Sequence, residues 1–283
     1  MEQGISIGVS GTRKRARLFG ETWRRLKKSK LAISGLVILS ALIAMAILAD
    51  VIAPYDFAKQ DLKSALQYPS WKHIFGTDEF GRDIFSRMVY GSRISLEVGF
   101  IAVGIAVLVG GSLGAVSGYY GGMLDNVIMR CMDVLLSIPS ILLAIAILAA
   151  MGPGLINLMI ATGISSIPGY ARIVRASVLS VKGQEFVEAA KAVGSSNARI
   201  ILRHIIPNSL APLLVQATLG IASAILTAAG LSFIGLGVQP PTPEWGAMLS
   251  GGRGYIRDYA YMTIFPGLAI AVTIFGLNVL GDG

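Results

Sequence analysis

The stretch IAVGIAVLVGGSLGAVSGYYGG, residues 101–122, contains no charged side chain and carries a small residue at every fourth position. A helix needs about 20 mostly apolar residues to cross a hydrocarbon layer of about 30 Å, and this stretch is long enough. Small residues at this spacing let a second helix approach to backbone contact. We therefore expect a membrane-spanning helix that packs closely on a neighbour. The small residues are Ala102, Ala106, Gly110, Gly114, Gly118 and Gly122.

Similar apolar stretches recur along the whole chain. Of its 283 residues, 54% are hydrophobic and 14% are charged, and the mean hydropathy is +0.68. A soluble domain needs a more polar surface than this composition supplies. We therefore predict an all-α membrane protein with six transmembrane helices. The predicted spans are residues 31–52, 95–116, 127–150, 155–174, 209–229 and 262–280.

Basic residues before the first predicted span indicate how the chain crosses the membrane. Residues 1–30 contain nine of the 24 lysines and arginines, so the positive-inside rule places them in the cytoplasm. No signal-peptide pattern precedes the span, and we expect the span to be retained. This arm is expected to touch anionic lipid and not nucleic acid. The predicted organisation is the basic arm (1–30), a first transmembrane helix (31–53), an external segment (54–93) and a core of five transmembrane helices (94–283) with a cytoplasmic loop at 182–207.

Two segments between the spans are expected on the external side. Residues 76–96 begin with a Thr77–Asp78 cap and then separate apolar from polar residues, which predicts an amphipathic helix lying in the membrane interface. Its apolar side comprises Phe80, Ile84, Phe85, Met88 and Val89, and its polar side Glu79, Arg82, Asp83, Ser86 and Arg87. Residues 231–249 are rich in proline and glycine and should form an ordered loop, with Trp245 near the lipid headgroups.

The chain is poor in the residues that most enzymes and ion-driven carriers need. Cys131, His73 and His204 allow no internal disulfide and no metal site of the usual spacing. Few ionisable residues fall inside the predicted spans, which disfavours a secondary transporter but leaves it as an alternative. Residues 110–114 (GGSLG) fit the GxSxG pattern, so an intramembrane hydrolase using Ser112 is a second alternative, although it needs a nearby histidine. No GxxxxGK[ST] phosphate-binding loop is present.

The charged stretch EFVEAAKAVGSSNARIILRHIIPN, residues 185–208, interrupts the apolar sequence. Glu185, Glu188 and Lys191 recur at every third position, which predicts the polar side of a short helix in which Glu188 pairs with Lys191. The other side of this helix is apolar. It consists of Phe186, Ala189, Ala190 and Val193.

Gly194 divides the same stretch into two helices. Glycine takes the left-handed conformation without strain, so we expect Gly194 to end the first helix, and Pro207 to end the second. The second helix should present Ala198, Ile201, Leu202 and Ile205 on one face. Arg199 and Arg203 lie four residues apart and repel each other unless an acidic partner is near. Two short helices with an exposed apolar face indicate a docking element for a soluble partner, with a helix lying flat on the membrane as the alternative.

Three residues followed by a glycine and a proline give this loop a specific resemblance. Glu188-Ala189-Ala190, then Gly194 and Pro207, resemble the EAA loop of the permease subunits of ATP-binding-cassette (ABC) importers. Three further segments, residues 76–96, 117–140 and 229–249, resemble the dipeptide, oligopeptide and nickel branch of these permeases, the DppC/OppC type. Two features depart from the general pattern: His204 replaces an aliphatic residue and is typical of the peptide branch, and the sequence given ends at GDG without a charged tail.

The resemblance implies a type I importer permease fold and a transport function. The EAA loop would be a coupling helix seated in a groove of an ATPase subunit. Two such ATPases would bind ATP and Mg, a second permease would complete the pathway, and an extracellular solute-binding protein would deliver di- or oligopeptides, with nickel chelates or glutathione-like peptides as alternatives. The chain itself would be neither an enzyme nor cofactor-bound, in a bacterial or archaeal plasma (inner) membrane. The implied coupling residues are Glu185, Glu188, Ala189, Ala190, Lys191, Gly194, Arg199 and Arg203, with Glu188 contacting the ATPase and Gly194 providing the bend.

Overall fold

The computed structural model describes residues 29–282, so residues 1–28 of the predicted basic arm lie outside it. Regular structure within the described range is helical, and π-helical turns occur at Ala106–Gly110, inside α3, and at Ile201–Ile205, between α8 and α9. The helices are α1 (Lys30–Ile47), α2 (Ala49–Ile52), α3 (Ile84–Tyr120), α4 (Gly122–Leu136), α5 (Ser140–Met151), α6 (Leu155–Lys182), α7 (Glu185–Ala192), α8 (Asn197–Ile200), α9 (Ile206–Asn208), α10 (Leu210–Phe233), α11 (Trp245–Gly252) and α12 (Tyr261–Asp282).

Four of these helices, α1, α3, α10 and α12, are long and apolar enough to cross a membrane. The pair α4 and α5 meets the same criteria when taken together, which raises the number to five. Helix α6 has 28 residues, but its composition is not apolar enough to meet the same criteria. The helical membrane fold therefore agrees with the sequence, while the count of six spans stays a prediction.

A sharp bend interrupts the third predicted span, residues 127–150. Helices α4 and α5 meet at 87°, across a break of three residues that ends at Pro139. Proline supplies no amide hydrogen, and the residue before it avoids the helical conformation, so Ile138 and Pro139 end one helix before the next starts. The predicted span is therefore not one continuous helix, because the pair forms a broken span or a re-entrant segment.

Helix α3 is longer than predicted, and it includes residues 84–96 of the segment that was expected to form a separate interfacial helix. It starts at Ile84, where the Asp83 carboxylate accepts a 2.8 Å hydrogen bond from the amide of Ser86, and runs for 37 residues, or about 55 Å. Residues 76–83 form a loop, so the Thr77–Asp78 cap and the separate amphipathic helix are both wrong. The supposed water-facing residues Arg82, Asp83, Ser86 and Arg87 are buried. We call the two ends of the bundle the Ile84 end and the Tyr119 end.

The core of the bundle forms around α3, which packs on α1, α6 and α10. One hydrophobic cluster joins α1, α3, α6, α10, α11 and α12, and Trp245 lies fully buried within it. The indole nitrogen of Trp245 donates a 3.1 Å hydrogen bond to the carbonyl of Met88. The prediction that Trp245 lies among lipid headgroups is therefore wrong. Residues 245–249 of the predicted loop instead form the first part of α11.

The small residues of α3 lie at its contact with α6. A Cβ atom on Gly110 would stand 2.5 Å from the carbonyl oxygen of Ile167, and one on Gly114 would be closer still to that of Ala171. Ala102 and Ala106 are buried, and Gly118 faces Arg175 and Val178. A strict four-residue stripe drifts by about 40° per step around an α-helix, and the wide π turn at Ala106–Gly110 opposes that drift. Gly122 lies outside the contact: its φ is +59°, and a Cβ atom there would meet no atom within 4 Å.

Candidate functional site

One side of helix α7 is anchored to the bundle at the Tyr119 end. Val187 is fully buried and Ala190 nearly so, and both pack in a cluster with Val178 and Val181 from the last turns of α6. The cluster also includes Tyr119 from the end of α3. Because these contacts hold one face of α7, the opposite face has a defined orientation.

The opposite face of α7 is exposed. Glu185, Glu188, Ala189 and Lys191 all lie there, and Val193 beyond the helix is 81% exposed. Glu185 and Glu188 lie in the first turn of the helix and Lys191 lies in its last turn, an arrangement that complements the helix dipole. Among residues 29–282 no ion pair joins Glu188 to Lys191, so the predicted pairing of these side chains is wrong.

The predicted apolar side of α7 is only partly correct. Ala190 faces inward as expected, but Phe186 and Ala189 are exposed, and the buried anchor Val187 was not predicted. Val187 and Ala190 are three residues apart, which is the spacing of neighbours on one helix face. This i, i+3 spacing could have identified the buried face. It was obscured because Glu185, Glu188 and Lys191 repeat with the same period.

Gly194 ends α7 in the conformation that the sequence predicts. Its φ of +76° is in the left-handed region, and its amide donates a 2.9 Å hydrogen bond to the carbonyl of Lys191. The amide of Ser195 donates a 3.1 Å hydrogen bond to the carbonyl of Ala190. These two bonds form a Schellman motif, which satisfies carbonyl groups that the helix end would otherwise leave unpaired.

The segment after Gly194 is buried on a different face from the one predicted. Ile200 and Ile205 are buried in the same cluster as Val187, whereas Leu202 is 67% exposed. Their spacing of five residues matches the π-helical turn at Ile201–Ile205, which a regular helical period does not anticipate. Arg199 and Arg203 are exposed, and within the described chain neither has a carboxylate within 4.0 Å. An acidic partner for them would come from outside these residues.

Tyr119 connects the end of α3 to both halves of this loop. Its hydroxyl donates a 2.7 Å hydrogen bond to Oδ1 of Asn197, at the start of α8. The ammonium nitrogen of Lys191 lies 6.0 Å from the centre of the Tyr119 ring, and that of Lys182 lies 5.8 Å from it. Cations near an aromatic face are attracted to it. No sequence pattern points to Tyr119, because its partner is 78 residues away along the chain.

Two ion pairs connect α4 to α6 beside the loop. Arg175 donates two 2.6 Å hydrogen bonds to the carboxylate of Asp125, which also accepts one from Ser117 in α3. Asp133 pairs with Arg172 at 2.6 Å. Helical spacing predicts that Asp133 pairs with Arg130, three residues earlier in α4, but the structure pairs it with Arg172 instead. A paired, two-point contact between guanidinium and carboxylate fixes orientation as well as distance.

The residues required by the hydrolase alternative are not assembled in the described chain. Ser112 donates its hydroxyl hydrogen to the carbonyl of Leu108, one turn earlier in α3. Nδ1 of His73 lies 2.8 Å from Asp83 at the Ile84 end, and His204 lies in the loop at the Tyr119 end. Residues 29–282 also contain no cluster of His, Cys, Asp and Glu that could hold a metal ion.

Comparison with known proteins gives two family matches. Residues 110–283 match the family described as binding-protein-dependent transport system inner membrane component. Residues 17–69 match the N-terminal transmembrane domain of oligopeptide transport permease C. The first of these matches alone spans more than half of the chain.

Individual relatives are similar over most of their length. The dipeptide transport system permease protein DppC of Alkalihalophilus pseudofirmus is 51% identical over 263 residues, 93% of this chain and 86% of that protein. The probable D,D-dipeptide transport system permease protein DdpC of Escherichia coli is 48% identical over 91% of this chain and 87% of the relative. The glutathione transport system permease protein GsiD of Escherichia coli is 46% identical over 93% and 87%, respectively.

Solved structures show the same fold. A chain of the MetNI methionine ABC transporter in an inward-facing conformation superposes with a TM-score of 0.58 at 19% identity, covering 69% of this chain and 93% of that chain. A second crystal form of the same transporter gives a TM-score of 0.55 at 18% identity. At these identities the similarity concerns the fold alone.

Proposed function

Because this chain belongs to the family of binding-protein-dependent transport system inner membrane components, we propose that it is a permease subunit of an ATP-driven importer of short peptides. The peptide class follows the names of the relatives, of which two are dipeptide permeases and one is a glutathione permease. Glutathione-like peptides and nickel chelates are the narrower alternatives for the substrate. ATP hydrolysis belongs to partner subunits, since the sequence has no phosphate-binding loop.

The observation that carries the proposal is the two-sided geometry of α7. Its inner face, Val187 and Ala190, is fixed to α6 and to the end of α3, while Glu185, Glu188 and Ala189 are exposed on the outer face. A helix that is anchored on one side and exposed on the other can pass a displacement from a bound partner to the bundle. In the proposed importer that partner is an ATPase subunit.

The proposed orientation places the Tyr119 end in the cytoplasm and the Ile84 end outside. The nine basic residues in the first 30 positions and the basic residues around α7 support this direction. The exposed Arg199 and Arg203 would then face the ATPase or the anionic lipid of the inner leaflet, both of which can supply negative charge.

The proposed mechanism is a shift between two conformations of the bundle. Two ATPases that close on ATP and Mg would move α7 of this chain and the equivalent helix of a second permease. ATP changes the balance only to the extent that it favours the closed ATPase pair over the open one. Movement of α7 reaches α6 through Val187, and movement of the following helix α8 reaches α3 through the Tyr119–Asn197 hydrogen bond. An extracellular binding protein would deliver the peptide to the outward-open state.

Affinity purification of the tagged chain from its native membrane tests the proposed assembly. We expect ATPase subunits, a second permease and a solute-binding protein in the purified material. The reconstituted complex should then import a labelled dipeptide only with ATP and the binding protein present. A chain that purifies alone, or uptake that follows an ion gradient without an ATPase, would instead favour a secondary transporter.

A further inference from the structure

A cavity of about 230 Å³ lies at the Ile84 end, between the loop before α3 and the segment around α11. One wall comes from residues 78–87, and the other comes from residues 232–252. Its volume is below the roughly 300–1,000 Å³ of sites for drug-sized molecules, so it suits a smaller guest. It lies at the opposite end of α3 from the coupling loop, and no part of the proposed mechanism uses it.

Two of the four charged residues lining this cavity are anchored in its wall by hydrogen bonds within the protein. Asp78 accepts a 2.6 Å hydrogen bond from Nε of Arg82 and two more from the amides of Phe80 and Arg82. Arg87 donates to the carbonyls of Phe57 at 3.0 Å and Pro241 at 3.2 Å. Asp78 is therefore committed to the wall, whereas Arg87 is held there through Nη1 alone and keeps its Nη2 donors unused within the described chain.

The other two charged groups keep free capacity. The nearest approach of the Glu79 carboxylate to Arg82 is 3.9 Å, from Oε1 to Nη2, which is too long for a hydrogen bond. Arg82 uses only its Nε within the described chain, so both terminal nitrogens can still donate. Burial raises the pKa of Glu79, as is usual for a carboxylate that is removed from water.

We infer that this cavity binds a small zwitterion, with its ammonium group on Glu79 and its carboxylate on the free nitrogens of Arg82. An anion alone would be repelled by Glu79, and a cation alone would leave Arg82 unsatisfied. A zwitterion of the amino-acid or dipeptide type satisfies both groups and matches the small volume. The inference rests on the proposed function in one respect: that function identifies an imported peptide as the natural ligand.

The position of the cavity gives the site a role in peptide import. In the proposed orientation it opens on the external side, where a binding protein releases its cargo. Gly251 forms part of the wall beside Glu79: a Cβ atom there would lie 3.7 Å from Oε1 and meet no other atom within 4 Å. A larger side chain at position 251 would therefore fill the cavity without disturbing the backbone.

Binding of L-alanyl-L-alanine to the assembled transporter in lipid nanodiscs, without ATP or binding protein, tests the site. Acetylating the amino terminus or amidating the carboxyl terminus should each weaken binding by about ten-fold or more, because each removes a charge-assisted contact. The variant Glu79→Gln should weaken binding to a similar extent, and Gly251→Leu should abolish it. The exposed Glu97 in α3 provides a matched control, and Glu97→Gln should bind as the wild type does.

Each opposite result would overturn the inference. Absence of wild-type binding at millimolar dipeptide, equal binding of the blocked peptides, or unchanged binding by both Glu79→Gln and Gly251→Leu would remove the site. Import measured with ATP and the binding protein tests the proposed function separately. Dipeptide binding at Glu79 without import would retain the site and reject the proposed function.

Discussion

The hydroxyl of Tyr119 and Oδ1 of Asn197 lie 2.7 Å apart and join the end of α3 to the loop after Gly194. If this bond transmits movement, Tyr119→Phe should lower ATP-driven uptake several-fold while ATP hydrolysis by the complex continues. The bond itself contributes about 1 kcal/mol, so folding and assembly should survive its loss. Peptide uptake and ATP hydrolysis are measured on the same proteoliposomes, and the ratio of uptake to hydrolysis reports the coupling.

The neighbouring tyrosine offers a matched control for this variant. Tyr120 is 51% exposed, and no hydrogen bond of its hydroxyl occurs in the described chain. Tyr120→Phe should therefore leave the ratio of uptake to hydrolysis unchanged. Equal ratios for Tyr119→Phe and the wild type would show that the bond has no part in coupling.

Gly194 should tolerate neither alanine nor proline. Its φ of +76° costs an L-residue about 1–2 kcal/mol, and nothing lies within 4 Å, so the penalty comes from the backbone alone. Gly194→Ala should reduce uptake, and Gly194→Pro, which also loses the bond to Lys191, should abolish it with membrane insertion intact. Gly183 has φ −87° and equally open surroundings, so Gly183→Ala is the control and should import normally. Normal import by Gly194→Pro would contradict the role of this bend.

The contact of α3 with α6 predicts opposite effects for two glycines of one helix. Gly114→Ala would push a methyl group against the backbone of Ala171 and should destabilise the purified subunit by about 1–3 kcal/mol. Gly104 has open space around it, so Gly104→Ala should be neutral or slightly stabilising. Thermal unfolding in detergent compares the two variants. A melting temperature unaffected by Gly114→Ala would contradict the close contact.

The external cavity predicts a pH dependence of dipeptide binding. Burial raises the pKa of Glu79, and Asp78 raises it further, while the backbone amide of Glu79, Arg82 and Arg87 act in the opposite direction. Glu79 should therefore lose its charge at a higher pH than an exposed glutamate, and its hold on an ammonium group is lost with that charge. Binding should fall on acidification through this raised pKa. The weaker binding that remains in Glu79→Gln should lack this fall on acidification. A pH profile identical to that of the wild type would contradict the assignment.

The features that were predicted correctly from the sequence depend on the properties of the residues themselves. Gly194 is one of them, because only glycine takes a positive φ without strain, and the residues of α3 that meet α6 follow from their small size. Val187 was missed because a short helix of eight residues gives few periods from which to choose a face. Its burial is decided by α6, which the local sequence does not contain.

Features that depend on distant partners could not be predicted in this way. Arg82 and Arg87 look like solvent-facing charges until Asp78 and the carbonyls of Phe57 and Pro241 are brought around them. Pro139 indicates where a membrane helix can kink, but proline is tolerated in many such helices, so the 87° angle depends on the packing of α4 on α6.

Photo-crosslinking from α7 tests the central claim most directly. With p-benzoyl-L-phenylalanine in place of the exposed Glu185, irradiation of intact cells should join this chain to an ATPase subunit. The same amino acid in place of Tyr68, which is 61% exposed at the Ile84 end, should not capture that ATPase. Capture from position 185 alone would place α7 against the ATPase. No ATPase adduct from position 185, or the same adduct from both positions, would contradict the account.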